Sequence, residues 1–63
     1  MTVKDLVSVV DDTQEVIIIA TKYYAEMYRY LAKNIPPTLL AETVHKVFPH
    51  LNGTELELAI SIE

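Results

Sequence analysis

The chain has 63 residues, 51% of them hydrophobic, with one glycine, no cysteine and a formal net charge of −4. That length suits a single domain over residues 1–63, and a domain of this size buries only about 60% of its unfolded surface. The composition excludes a disordered chain and a disulfide framework. The charge argues against nonspecific nucleic-acid binding, which runs on lysine and arginine, but permits a basic protein partner.

Thr2 to Val10 reads as a short helix. Thr2 can cap it, and Asp5 three residues on gives a minimal capping box. Val3, Leu6, Val7 and Val10 repeat at the spacing of one helical face. Valine is a mediocre helix former, so a strand is the alternative. Asp11-Asp12-Thr13-Gln14 is a polar turn. Glu15 to Ala20 follows as a strand around Val16-Ile17-Ile18-Ile19. Four β-branched residues in a row are stiff at χ1 and apolar on both faces of a strand, so this one belongs inside a sheet.

Thr21 to Lys33 supports two readings. As a helix it has a Thr21 cap, good formers at Ala25, Glu26, Met27 and Leu31, and Lys33-Asn34 at its end. As a strand it has Tyr28-Arg29-Tyr30-Leu31. Pattern alone leans to the helix. Ile35-Pro36-Pro37 then breaks the chain, and Pro37 can open a single helical turn through Thr38-Leu39-Leu40. Thr43 to Phe48 reads as a strand ended by Pro49. Pro49 to Gly53, with its Asn52-Gly53 turn signal, makes a loop of hairpin size. In the last segment Leu56, Leu58, Ile60 and Ile62 alternate with Glu55, Glu57, Ala59, Ser61 and Glu63. That is the pattern of a strand with one buried face and one wet face.

Leu6, Glu15-Val16-x-Ile18, Tyr28, Lys33, Ile35-Pro36, Leu39-Leu40, Val44, Val47 and Gly53 form a pattern whose distinctive core is Lys33 to Leu40. It resembles a set of short uncharacterised proteins carried by phages, prophages and mobile elements of Gram-positive bacteria. The likeness spans most of the chain and brings no activity and no catalytic residues. In such proteins the region before Ile-Pro is similar to a second strand that pairs with the first, which turns residues 26–33 toward strand. Here that region is longer and rich in tyrosine. The expected fold is α+β: a short N-terminal helix, a hairpin over residues 15–33, a one-turn helix after Pro36 and a second hairpin over residues 43–62. The four or so strands make a mainly antiparallel sheet with the helix on one face and the first and last strands central. The helical reading of residues 21–33 remains the alternative.

Tyr23, Tyr24, Tyr28 and Tyr30 are four of the five aromatic residues. Tyrosine is enriched in interface cores because it is large, semi-rigid and amphipathic. On an unbulged strand Tyr24, Tyr28 and Tyr30 share a face. The plainer alternative is that they cap a small core with their hydroxyls in water. Glu55 and Glu57, on the expected wet face of the last strand, join Asp11, Asp12, Glu15 and Glu63 in an acidic surface, for which simple solvation is the alternative. Asp11-Asp12 lacks the glycine and ligand series of a calcium loop. His45 and His50 lack the companions of a zinc site or a catalytic triad.

No catalytic residue, metal site or cofactor is therefore expected. No apolar run is long enough to cross a membrane, and the N-terminus lacks the pattern of a secretory signal. The reading is a cytoplasmic, acidic, non-enzymatic protein–protein interaction module, with Tyr24, Tyr28, Tyr30, Glu55 and Glu57 as partner-binding residues. Its sharpest form is a phage-encoded, anti-CRISPR-like inhibitor that occupies the basic nucleic-acid groove of a host nuclease, touching neither nucleic acid nor membrane itself. The alternative is a self-associating structural or accessory phage or prophage protein, a homo-oligomer, because so small a core without disulfide or metal gains from assembly.

Overall fold

A computed structural model describes residues 1–20 and 26–62. In chain order it has α1 (Val3–Val7), β1 (Glu15–Ala20), β2 (Glu26–Leu31), a 3-10 turn (Ala32–Asn34), α2 (Pro37–Leu40), β3 (Val44–Asn52) and β4 (Glu55–Ile62). The strands form one sheet in the order β2-β1-β4-β3. β1–β2 and β3–β4 are antiparallel hairpins, and the central pair β1–β4 is parallel, with Val16 opposite Leu58 and Ala20 opposite Ile62. The fold is α+β with a mixed, mostly antiparallel sheet, and the first and last strands are central as expected. Residues 26–31 are strand and not helix. The proposed Thr21 cap, with Tyr23 and Tyr24, lies outside the described residues.

Local chemistry accounts for the short elements. The Thr2 hydroxyl accepts from the Asp5 N–H at 3.2 Å and the Asp5 carboxylate accepts from the Thr2 N–H at 3.1 Å, a full capping box. α1 stops at Val7 rather than Val10. Its chain continues in tighter i to i−3 bonds, Val9 N–H to Leu6 C=O and Val10 N–H to Val7 C=O. Valine's low helix propensity favours that early end, and Val10 still reaches the core. Pro37 opens α2 at its first turn, where the missing N–H costs nothing. The N-terminus is tied to the start of β3 by Val3 N–H to Glu42 C=O and Val44 N–H to Met1 C=O, both 2.9 Å.

α1, α2 and the 3-10 turn cover one face of the sheet. The buried residues there are Val16, Ile18 and Ala20 of β1, Ile60 and Ile62 of β4, and Val3, Ala32 and Ile35. Leu6, Val7, Val10, Leu39, Leu40, Val44, Leu58 and Tyr30 pack around them. Each fully buried aliphatic side chain contributes roughly 1.5–3 kcal/mol.

Two expectations are corrected. β3 does not end at Pro49 but runs on to Asn52. Proline is tolerated because β3 is an edge strand and Pro49 sits where its missing N–H faces outward. The two-residue turn Gly53-Thr54 makes Asn52/Glu55 a hydrogen-bonded pair, so His50/Glu57 is one too and Pro49/Leu58 is not. The expected wet face of β4 is also wet only at Glu55 among the described residues. Glu57, Ala59 and Ser61 are all buried, as is Ile17 beside Ala59 on the same face. β4 is an interior strand between β1 and β3, with Phe48 and His50 of β3 opposite Ala59 and Glu57 and Arg29 of β2 reaching Glu57.

Candidate functional site

On the face away from the helices, Glu57 carries a carboxylate into a place only 2% exposed. Arg29 of β2 reaches over β1 and donates Nε–H to Glu57 Oε2 at 3.2 Å. His50, opposite Glu57 on β3, brings Nδ1 to 3.2 Å from Oε1. Both carboxylate oxygens are therefore engaged, as a buried charge requires. The arrangement links three strands across a fourth. It orients the His50 ring with Nε2 pointing away from the carboxylate. An open depression of about 260 Å³ lies alongside, lined by Glu15, Arg29, Tyr30, Leu31, Asn52 and Glu57. Among the described residues no group of three His, Asp or Glu side chains is placed to hold a metal ion.

Three acidic side chains gather at one end of the sheet. Asp11, Glu15 and Glu55 line a second depression of about 400 Å³ with Thr13, Gln14 and Leu56. The turn before β1 is braced against β4 by Gln14, whose Nε2–H donates to the Leu56 carbonyl at 3.2 Å. The Thr13 hydroxyl and N–H both donate to Asp11 Oδ1, at 2.7 and 2.9 Å, and hold the Asp11 carboxyl below the usual carboxylate range.

Next to this acidic end the β3–β4 hairpin extends past β1, whose pairing with β4 begins at Leu58. Leu51 and Leu56 face each other there, 66% and 63% exposed. They prolong the row Ile62, Ile60, Leu58 on the core-side face beyond the reach of the helices. Val47 on the same side of β3 is 43% exposed.

The described ones among the expected binding residues do not lie on one surface. Tyr28 and Tyr30 share a face, opposite Ile18 and Val16, but it is the core-side face. Tyr30 packs against the core, while Tyr28 is 38% exposed. Tyr24 lies outside the described residues. Glu55 is exposed beside the turn, on the other side of the sheet from the tyrosines. Glu57, expected on a wet rim, is buried and ion-paired. His50 lies beside Glu57. The sequence pattern places Leu51 in a loop and Leu56 on a buried face. Placing the turn at Gly53-Thr54 makes them cross-strand neighbours at a free hairpin end, which was the available signal. Comparison with protein-family models, curated proteins and solved structures finds no match.

Proposed function

We propose that this chain is a non-enzymatic protein-binding module that docks the end of its β3–β4 hairpin onto a basic partner. One observation carries the reading: Leu51 and Leu56 are exposed as a pair beside Asp11, Glu15 and Glu55. An apolar centre with a charged rim is the anatomy of a protein interface. The leucines supply the area removed from water, and the carboxylates speed encounter with a positive surface. In its finer form the module is a phage or prophage inhibitor that fills the Lys/Arg groove of a host nuclease, of which an anti-CRISPR protein is one instance. The net charge of −4 and the gathering of carboxylates at the leucine end support that form.

The test is competition. Purified chain is added to guide-loaded nucleases of Gram-positive hosts, and DNA binding and chain association are followed at low and high salt. The parent should block DNA binding. Glu55→Lys should slow association and weaken its salt dependence. Leu51→Ser with Leu56→Ser should speed dissociation at least tenfold, equivalent to about 1.4 kcal/mol, while leaving the fold intact because both sites are exposed. Inhibition that survives both changes would overturn the hairpin end as the contact. A parent that binds none of the nucleases would overturn the inhibitor form.

A further inference from the structure

The sheet has two edges, and they are not alike. β3 is closed to further pairing by its own chemistry. Its outward-facing backbone positions include Pro49, which has no N–H, and its register shifts between Val44 and Lys46. β2 has neither device. It runs Glu26–Leu31 without proline or bulge, and among the described residues no strand lies beyond it.

The direction of its backbone groups follows from one bond. Ala32 N–H donates to Gln14 C=O at 2.9 Å, continuing the register that sets Glu15 opposite Leu31. Residues 30 and 28 therefore turn their N–H and C=O toward β1, and alternation turns those of Met27, Arg29 and Leu31 outward. A row of outward donors and acceptors fits an extended backbone and little else.

We propose that β2 pairs antiparallel with β2 of a second copy about a two-fold axis at Tyr28, making one continuous eight-stranded sheet. The axis position follows from side-chain chemistry. A two-fold within the sheet places each residue opposite one of the same face, so it must fall on a residue and not between two. At Arg29 it would set two guanidinium groups against each other, which disfavours that register. At Tyr30 it would centre on a side chain already packed in the core. At Tyr28 it sets Tyr28 against its counterpart as a non-hydrogen-bonded pair, the closest kind, and Met27 against Arg29 of the other copy, with four backbone hydrogen bonds between them. Met27, now 56% exposed, is covered. This surface is separate from the hairpin end, so the two proposals stand or fall apart.

Three measurements test it. Sedimentation over micromolar to millimolar concentration should show the parent reaching twice its monomer mass. Met27→Pro removes an outward N–H and no bond to β1, so it should stay monomeric with unchanged circular dichroism. Tyr28→Cys places two thiols at a Cα separation of about 4.5 Å, within disulfide range. In a chain with no native cysteine it should cross-link under mild oxidation at least tenfold faster than Lys33→Cys on the exposed 3-10 turn. A parent that remains monomeric throughout overturns the proposal. So does a dimer that persists in Met27→Pro, or Tyr28→Cys cross-linking no faster than Lys33→Cys. If Met27→Pro unfolds, the cross-linking rates decide.

Discussion

Arg29 and Glu57 are unequal partners, and the inequality has a measurable sign. The arginine side chain is 49% exposed and its partner 2%. When Glu57 is neutralised, water can solvate the guanidinium. When Arg29 is removed, the carboxylate keeps, among the described residues, only His50. Arg29→Met should therefore destabilise by about 3 kcal/mol and Glu57→Gln by about 1 kcal/mol, read from urea unfolding at pH 7. Equal losses, or the reverse order, would show that the carboxylate relaxes to water. The burial of Glu57 was not readable along the strand, because glutamate alternating with leucine is the pattern of a wet face. It arises from a guanidinium 28 positions away and from a parallel neighbour. Val16 to Ile19 was readable because a β-branched run satisfies both faces of a strand by itself, whatever packs on them.

Gly53 shows the same division for a turn. Its φ of +64° suits glycine, and a Cβ added there would meet nothing within 4 Å. The cost of a side chain is thus backbone strain without a clash. Gly53→Val should cost about 1–2 kcal/mol in unfolding free energy, and Gly53→Asn less than half of that, since asparagine tolerates the left-handed region. Equal losses would mean that the turn rearranges. Two other short elements respond to acid. Asp5 is held below the usual carboxylate range by the Thr2 N–H and then the Thr2 side chain, and Asp11 by Thr13. A lowered folded-state pKa means stability that is full above the unfolded value and lost as pH falls through the folded one. Melting temperature should therefore fall below about pH 4, and less steeply in the double variant Asp5→Asn, Asp11→Asn. An identical acid limb would assign the loss to other carboxylates. Caps and turns of this kind are local, so the capping box at Thr2 and the proline-led turn at Pro37 were readable in advance. Pro49 reads locally as a strand end because its tolerance depends on β3 lying at an edge, which nothing nearby encodes. Residues 26–31 were ambiguous because Tyr-Arg-Tyr-Leu suits either element until β1 pairs with it.

Across the whole molecule, the pairing of first and last strands was inferable only as a shared preference for the interior. Their parallel direction followed from no local signal. The two hairpins are each closed by short connections, and the β1–β4 ladder joins them with partners 42 positions apart, the same separation as the Gln14–Leu56 bond. Chain entropy must be spent before such contacts return anything. The halves should therefore form early and the ladder between them late, which divides the kinetics of folding between two kinds of residue. Ile60→Val, in the ladder, should chiefly accelerate unfolding and leave the refolding rate within about twofold, whereas Gly53→Val, in a hairpin turn, should chiefly slow refolding. Stopped-flow chevrons of the two variants would show the opposite limbs displaced. If instead Ile60→Val moves the refolding limb, the parallel ladder is the nucleus and the hairpins wait for it.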